Sequence, residues 1–104
     1  MIILTTTSTK DEALKLAHSA VKAHLCACVN IIEGVTSIYE YEGKLCEEQE
    51  YQLVLKTTKE ASEKLQSFIK KNHSYETPEI LALAIEEGDL DYLSWIKQSV
   101  SQSI

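Results

Sequence analysis

An eight-residue segment from His73 to Ile80 brings an imidazole, a phenol and two carboxylates close together in the sequence. It also holds the only proline, Pro78, which disfavours helical geometry at Thr77. The segment is therefore predicted to be an extended turn that leads into a strand. A polar cluster held stiffly in such a turn is a good place for a binding site.

The imidazole of His73 is the best candidate in this segment for a metal ligand or a proton carrier. A neutral imidazole binds borderline metals, and the ring titrates near neutral pH. The alternative is a structural histidine at a helix C-terminus, where it satisfies carbonyl groups and interacts with the helix dipole. No partner ligand stands at metal-binding spacing, so the sequence leaves both interpretations open.

Glu76 and Glu79 lie three residues apart, but Pro78 between them argues against a shared helix face. As a pair they could hold a hard cation or a cationic substrate. As structural residues, either could pair with Lys44 or Lys56. The structural alternative is favoured, because single surface carboxylates are common.

Three cysteines are an odd number, and free thiols suit a reducing compartment. Cys26 and Cys28, on one face of a predicted strand, could be a thiolate pair for copper(I) or zinc, or two small buried apolar residues. The short apolar run that starts at Met1 lacks the basic flank and the length of a signal peptide. We therefore expect the protein to stay in the cytoplasm.

Composition narrows the class of protein. A chain of 104 residues has room for one core, so residues 1–104 are predicted to be a single domain. The net charge of -6 argues against a nucleic-acid partner, and no apolar stretch is long enough to span a membrane. No nucleophile–base motif, Walker loop or zinc-enzyme motif is present, so we do not expect an enzyme. The acidic run from Glu47 to Glu50 is predicted to be a solvated strand edge.

Hydrophobic periodicity and turn signals predict the order β-α-β-β-α-β followed by a helix. The predicted elements are a strand at 2–6, a helix at 10–24 capped by Thr9, a strand at 25–41 bent near Gly34, a hairpin partner at 45–57 after the turn Glu42-Gly43-Lys44, a helix capped by Thr58, a strand at 79–86 and a helix capped by Asp89. This is the α+β, ferredoxin-like arrangement, with helices on one face of the sheet. Several strands are apolar on both faces, which predicts an obligate oligomer with the open sheet faces packed together.

Five ordered segments together resemble the CutA family of divalent-cation tolerance proteins. They are Leu25-Cys26-Ala27-Cys28-Val29-Asn30, Ser37-Ile38-Tyr39-Glu40-Tyr41-Glu42-Gly43-Lys44, Leu55-Lys56-Thr57-Thr58, His73–Ile80 and Asp91-Tyr92-Leu93-Ser94-Trp95-Ile96. The resemblance implies a ferredoxin-like, non-enzymatic homotrimer that acts in the response to metal ions such as copper. In some members the copper ligands are a cysteine and two histidines, at positions held here by Thr5, Asn72 and His73. Only His73 is a good ligand, so that copper site is not carried over.

Three hypotheses about function follow. The first is the cation-tolerance trimer, with copper or another divalent cation held by His73, Cys28 and Glu79. The second is a module like the PII-type signalling proteins, which binds a small ligand in clefts between subunits. Its predicted ligand-binding residues are Lys44, Lys56, His73, Tyr75 and Glu76. The third, a hydrolase or lyase that uses His73 with Glu76 or Glu79, has the least support.

Overall fold

The computed structural model describes residues 1–101 and contains the predicted sequence of elements. These are β1 (Ile2–Thr7), α1 (Lys10–Lys22), β2 (Cys28–Tyr41), β3 (Lys44–Lys56), α2 (Lys59–Asn72), β4 (Leu81–Leu83) and α3 (Leu90–Ser101). The strands form one antiparallel sheet in the order β2-β3-β1-β4. The predicted α+β, ferredoxin-like fold is confirmed.

The core lies between one face of the sheet and helices α1 and α2. Ile3 pairs with Leu55 across β1 and β3, and both side chains are completely buried. The helices contribute buried apolar residues at helical spacing, namely Ala13, Leu16 and Ala20 from α1 and Leu65 and Ile69 from α2. Since side chains alternate along a strand, the other face of the sheet is not covered by these two helices.

The predicted helix caps are present. The hydroxyl oxygens of Thr9 and Thr58 each accept a hydrogen bond of 3.2 Å from the backbone N–H three residues later, and the Asp89 carboxylate accepts one of 3.0 Å from the N–H of Tyr92. Glu12, however, does not reach back to Thr9. Its carboxylate accepts hydrogen bonds of 2.8 and 2.9 Å from the backbone N–H and hydroxyl of Ser74. The first turn of α1 is thereby tied to the segment that follows α2.

The hairpin of β2 and β3 extends well beyond the rest of the sheet. The last pair between β1 and β3 joins Thr7 to Tyr51, whereas β2 and β3 stay paired as far as Tyr41 and Lys44. The predicted bend is a register shift between Ile32 and Val35, where Gly34 has a φ of 73°. We call the projecting part of the hairpin, residues 35–50, the ribbon.

The predicted boundaries of three elements were wrong by two or three residues. Helix α1 stops at Lys22 rather than residue 24, because His24 takes a φ of 59° and cannot continue a helix. Strand β2 begins at Cys28 rather than residue 25, so Cys26 and Cys28 are not paired on one strand face. The last strand covers only residues 81–83 of the predicted 79–86, because it is an edge strand that pairs with Ile2–Leu4 alone. No helix within residues 1–101 is long and apolar enough to cross a membrane.

Candidate functional site

A cavity of about 720 Å³ lies beside the ribbon, where the segment after α2 meets the sheet. The sheet contributes Thr6, Ser37, Ile38, Tyr39, Tyr41, Glu48 and Glu50, and the segment contributes Tyr75, Glu76, Thr77 and Glu79. Glu48, Glu50 and Gln52 occupy every second position of β3, so they lie on the same face of the sheet. Gln52 pairs with Thr6, and this is the face that α1 and α2 do not cover, which we call the open face. The cavity therefore opens on the side away from α1 and α2.

The innermost polar pair of the cavity joins Tyr75 to Glu50. The Tyr75 hydroxyl donates a hydrogen bond of 2.8 Å to Oε2 of Glu50, a residue that is only 7% exposed. Burial, and then the Glu50 carboxylate, raise the pKa of Tyr75 from 10.0 to about 12. The phenol is therefore protonated and able to donate throughout the physiological pH range. Nearer the tip of the ribbon, the Tyr39 hydroxyl donates to the carboxylate of Glu48.

His73 lies behind the cavity rather than in it. Its side chain is fully buried, with Nε2 2.6 Å from the Thr6 carbonyl oxygen, while Nδ1 accepts a hydrogen bond of 3.0 Å from the Tyr75 N–H. This arrangement requires the tautomer with hydrogen on Nε2. The imidazole also packs against the Tyr75 ring at a centroid distance of 4.9 Å. Both ring nitrogens are occupied, so His73 holds Tyr75 in place through contacts with β1 and the segment after α2.

The three predicted metal ligands do not come together in one chain. His73 touches Thr6 at one end of β1, whereas Cys28 pairs with Lys56 beside Ile2 at the other end, about 13 Å away along the strand. Glu79 alone lines the cavity. Within residues 1–101, no group of three or more histidine, cysteine or acidic side chains is arranged to hold a metal ion.

The predicted small-ligand residues divide into two sets. Tyr75 and Glu76 line the cavity, but Lys44 and Lys56 stand at opposite ends of β3, about 40 Å apart along the strand. The Lys56 ammonium contacts the Cys28 thiol at 3.8 Å and the Asn30 side-chain oxygen. A single chain thus does not assemble the predicted set of lysines with Tyr75.

Comparisons with known proteins identify the family. The model of the family described as "CutA1 divalent ion tolerance protein" matches residues 1–99. The chain belongs to the CutA1 family. The predicted resemblance is therefore confirmed.

Several CutA1 relatives match over nearly the whole chain. A "Divalent-cation tolerance protein CutA" of Thermus thermophilus is 42% identical over 94% of this chain and 95% of its own length. A protein of the same name from Yersinia pestis is 40% identical over 96% of this chain and 84% of its own length. Among solved structures, a CutA1 of Oryza sativa has a TM-score of 0.91 at 39% identity, covering 94% of this chain and 90% of its own. A second structure is that of the periplasmic divalent cation tolerance protein CutA from Archaeoglobus fulgidus. It has a TM-score of 0.92 at 34% identity and covers 95% of this chain and 96% of its own.

Asn72 and Thr5 are the other two positions that the resemblance matched to copper ligands of some family members. The Asn72 side chain donates a hydrogen bond of 2.8 Å to the Phe68 carbonyl, and the Thr5 hydroxyl oxygen is buried without a hydrogen-bond partner among residues 1–101.

Glu48 and Glu50 are site residues that the sequence interpretation missed. The run from Glu47 to Glu50 is predicted to be a solvated strand edge, and Glu47, Glu48 and Gln49 are indeed exposed on a part of β3 that pairs only with β2, whereas Glu50 is buried. Glu50 is buried because Tyr75 and the segment after α2 cover it. The sequence did contain a signal for these residues. Glu48, Glu50 and Gln52 occupy every second position and therefore share one face of β3, whereas Val54, the next residue on that face, is apolar.

Proposed function

We propose that this CutA1 protein is a cytoplasmic homotrimer that acts, without catalysing a reaction, in the response to divalent cations. The family and the names of the relatives support the cation response. The ribbon is the observation that carries the proposal of an oligomer. A net charge of -6 also supports the absence of a nucleic-acid partner.

The ribbon needs a partner because two strands alone are marginally stable in water. Within residues 1–101, no third strand supports residues 35–50. Its apolar side chains are nevertheless outside the core, with Ile38 65% exposed and Leu45 81% exposed. Packing against another copy would bury these side chains and support both strands.

The open face of the sheet supports the same conclusion. Ile2, Leu4 and Val54 share this face by register, and so do Leu81 and Leu83, which are 53% and 47% exposed. A contiguous apolar surface of this kind marks an interface. On α3, the rings of Tyr92 and Trp95 are exposed and their centroids lie 5.6 Å apart. We propose that these two side chains also belong to the interface between copies.

A second candidate function is the module that binds a small ligand between subunits. The cavity favours it, because the cavity lies on the open face, between the ribbon and the segment that holds Tyr75 and Glu76. A neighbouring subunit packed on that face would close the cavity. In such an assembly Lys44 or Lys56 of a neighbouring copy could complete the site, and metal binding through Cys28, His73 or Glu79 would likewise need ligands from a second chain.

The oligomeric state is the direct test. Light scattering of the purified chain is expected to give about three times its 11.7 kDa mass. Leu83→Glu places a charge on the open face and should give a smaller species, while Leu14→Glu, on α1 and also partly exposed, should leave the trimer intact. A wild-type monomer at micromolar concentration would contradict the proposal.

A further inference from the structure

We draw no further inference here: the strongest candidate, the cavity of about 450 Å³ between the first turn of α2 and helix α3, with Lys64 and Lys97 among its lining residues, is a groove at a helix N-terminus, and no second observation within residues 1–101 points to a ligand that would fill it.

Discussion

His73 and Tyr75 stand two residues apart, and the fold gives them different tasks. The imidazole bridges the Thr6 carbonyl and the Tyr75 N–H, so it fixes the segment against the end of β1. The phenol reaches Glu50 at the cavity. The sequence predicted roles for Tyr75, Glu76 and Glu79 from their place in a stiff turn, and all three line the cavity. It could not assign His73 its structural role, since Thr6 is 67 residues away in the chain.

Cys26 yields a prediction at the scale of one residue. Burial, and to a lesser extent Cys28, raise the pKa of its thiol from 9.0 to about 12. Between these values the folded state keeps a proton that the unfolded state loses, so the free energy of unfolding should fall as pH rises from 9 towards 12. Tyr75 adds to this trend above pH 10.0. Urea unfolding measured across this range should show the decline.

Two variants separate the contribution of Cys26 to this pH dependence from the contributions of other groups. Cys26→Ala should make the decline shallower, whereas Cys46→Ala, in the ribbon, should keep the wild-type dependence. An unchanged slope in Cys26→Ala would mean that this thiol is not responsible.

The β2–β3 turn shows how an element is set by local geometry. Glu42 and Gly43 both have positive φ, at 51° and 78°, which is the pattern of a two-residue type I′ hairpin turn. Glycine tolerates this conformation, but glutamate is strained in it. The sequence signal Glu42-Gly43-Lys44 was sufficient to predict the turn. It was not sufficient to show that the ribbon projects beyond the other strands, because that depends on where β1 ends.

The prediction for this element uses the strained position. Glu42→Asn replaces glutamate with a residue that accepts positive φ, and should raise the free energy of unfolding by up to about 1 kcal/mol. Gly43→Ala should lower it by a similar amount, and by backbone strain alone, because no described residue other than its chain neighbours comes within 4 Å of the added carbon. Chemical denaturation of both variants measures the two changes. Stabilisation by Gly43→Ala would contradict the assignment of the turn.

At the scale of the whole molecule, a single chain leaves much of its apolar surface in water. The ribbon, the open sheet face and the α3 pair Tyr92 and Trp95 all carry exposed apolar side chains. The core between the sheet and the two helices is nevertheless complete, with Ile3, Leu53, Leu55 and Leu65 fully buried. The chain therefore has the core of a folded domain and an exposed apolar surface, which we propose is covered by other copies.

Association coupled to folding predicts a stability that depends on protein concentration. The midpoint of urea unfolding should rise when the protein is concentrated about a hundredfold, because mass action favours the associated native state. Leu83→Glu should reduce this dependence, whereas Leu14→Glu should preserve it. Unfolding midpoints that coincide at all concentrations would show that the folded monomer is stable by itself.

The sequence alone determined the family, the order of the elements, the caps at Thr9, Thr58 and Asp89, and the two-faced apolar strands. These features depend on local spacing, which periodicity and turn chemistry report directly. The tertiary structure decided which polar residues meet. It separated Lys44 from Lys56, engaged His73 with the backbone, and buried Glu50 beside Tyr75, which is 25 residues away in the chain. Such meetings depend on strand register and on the path of the segment after α2, and no local pattern encodes them.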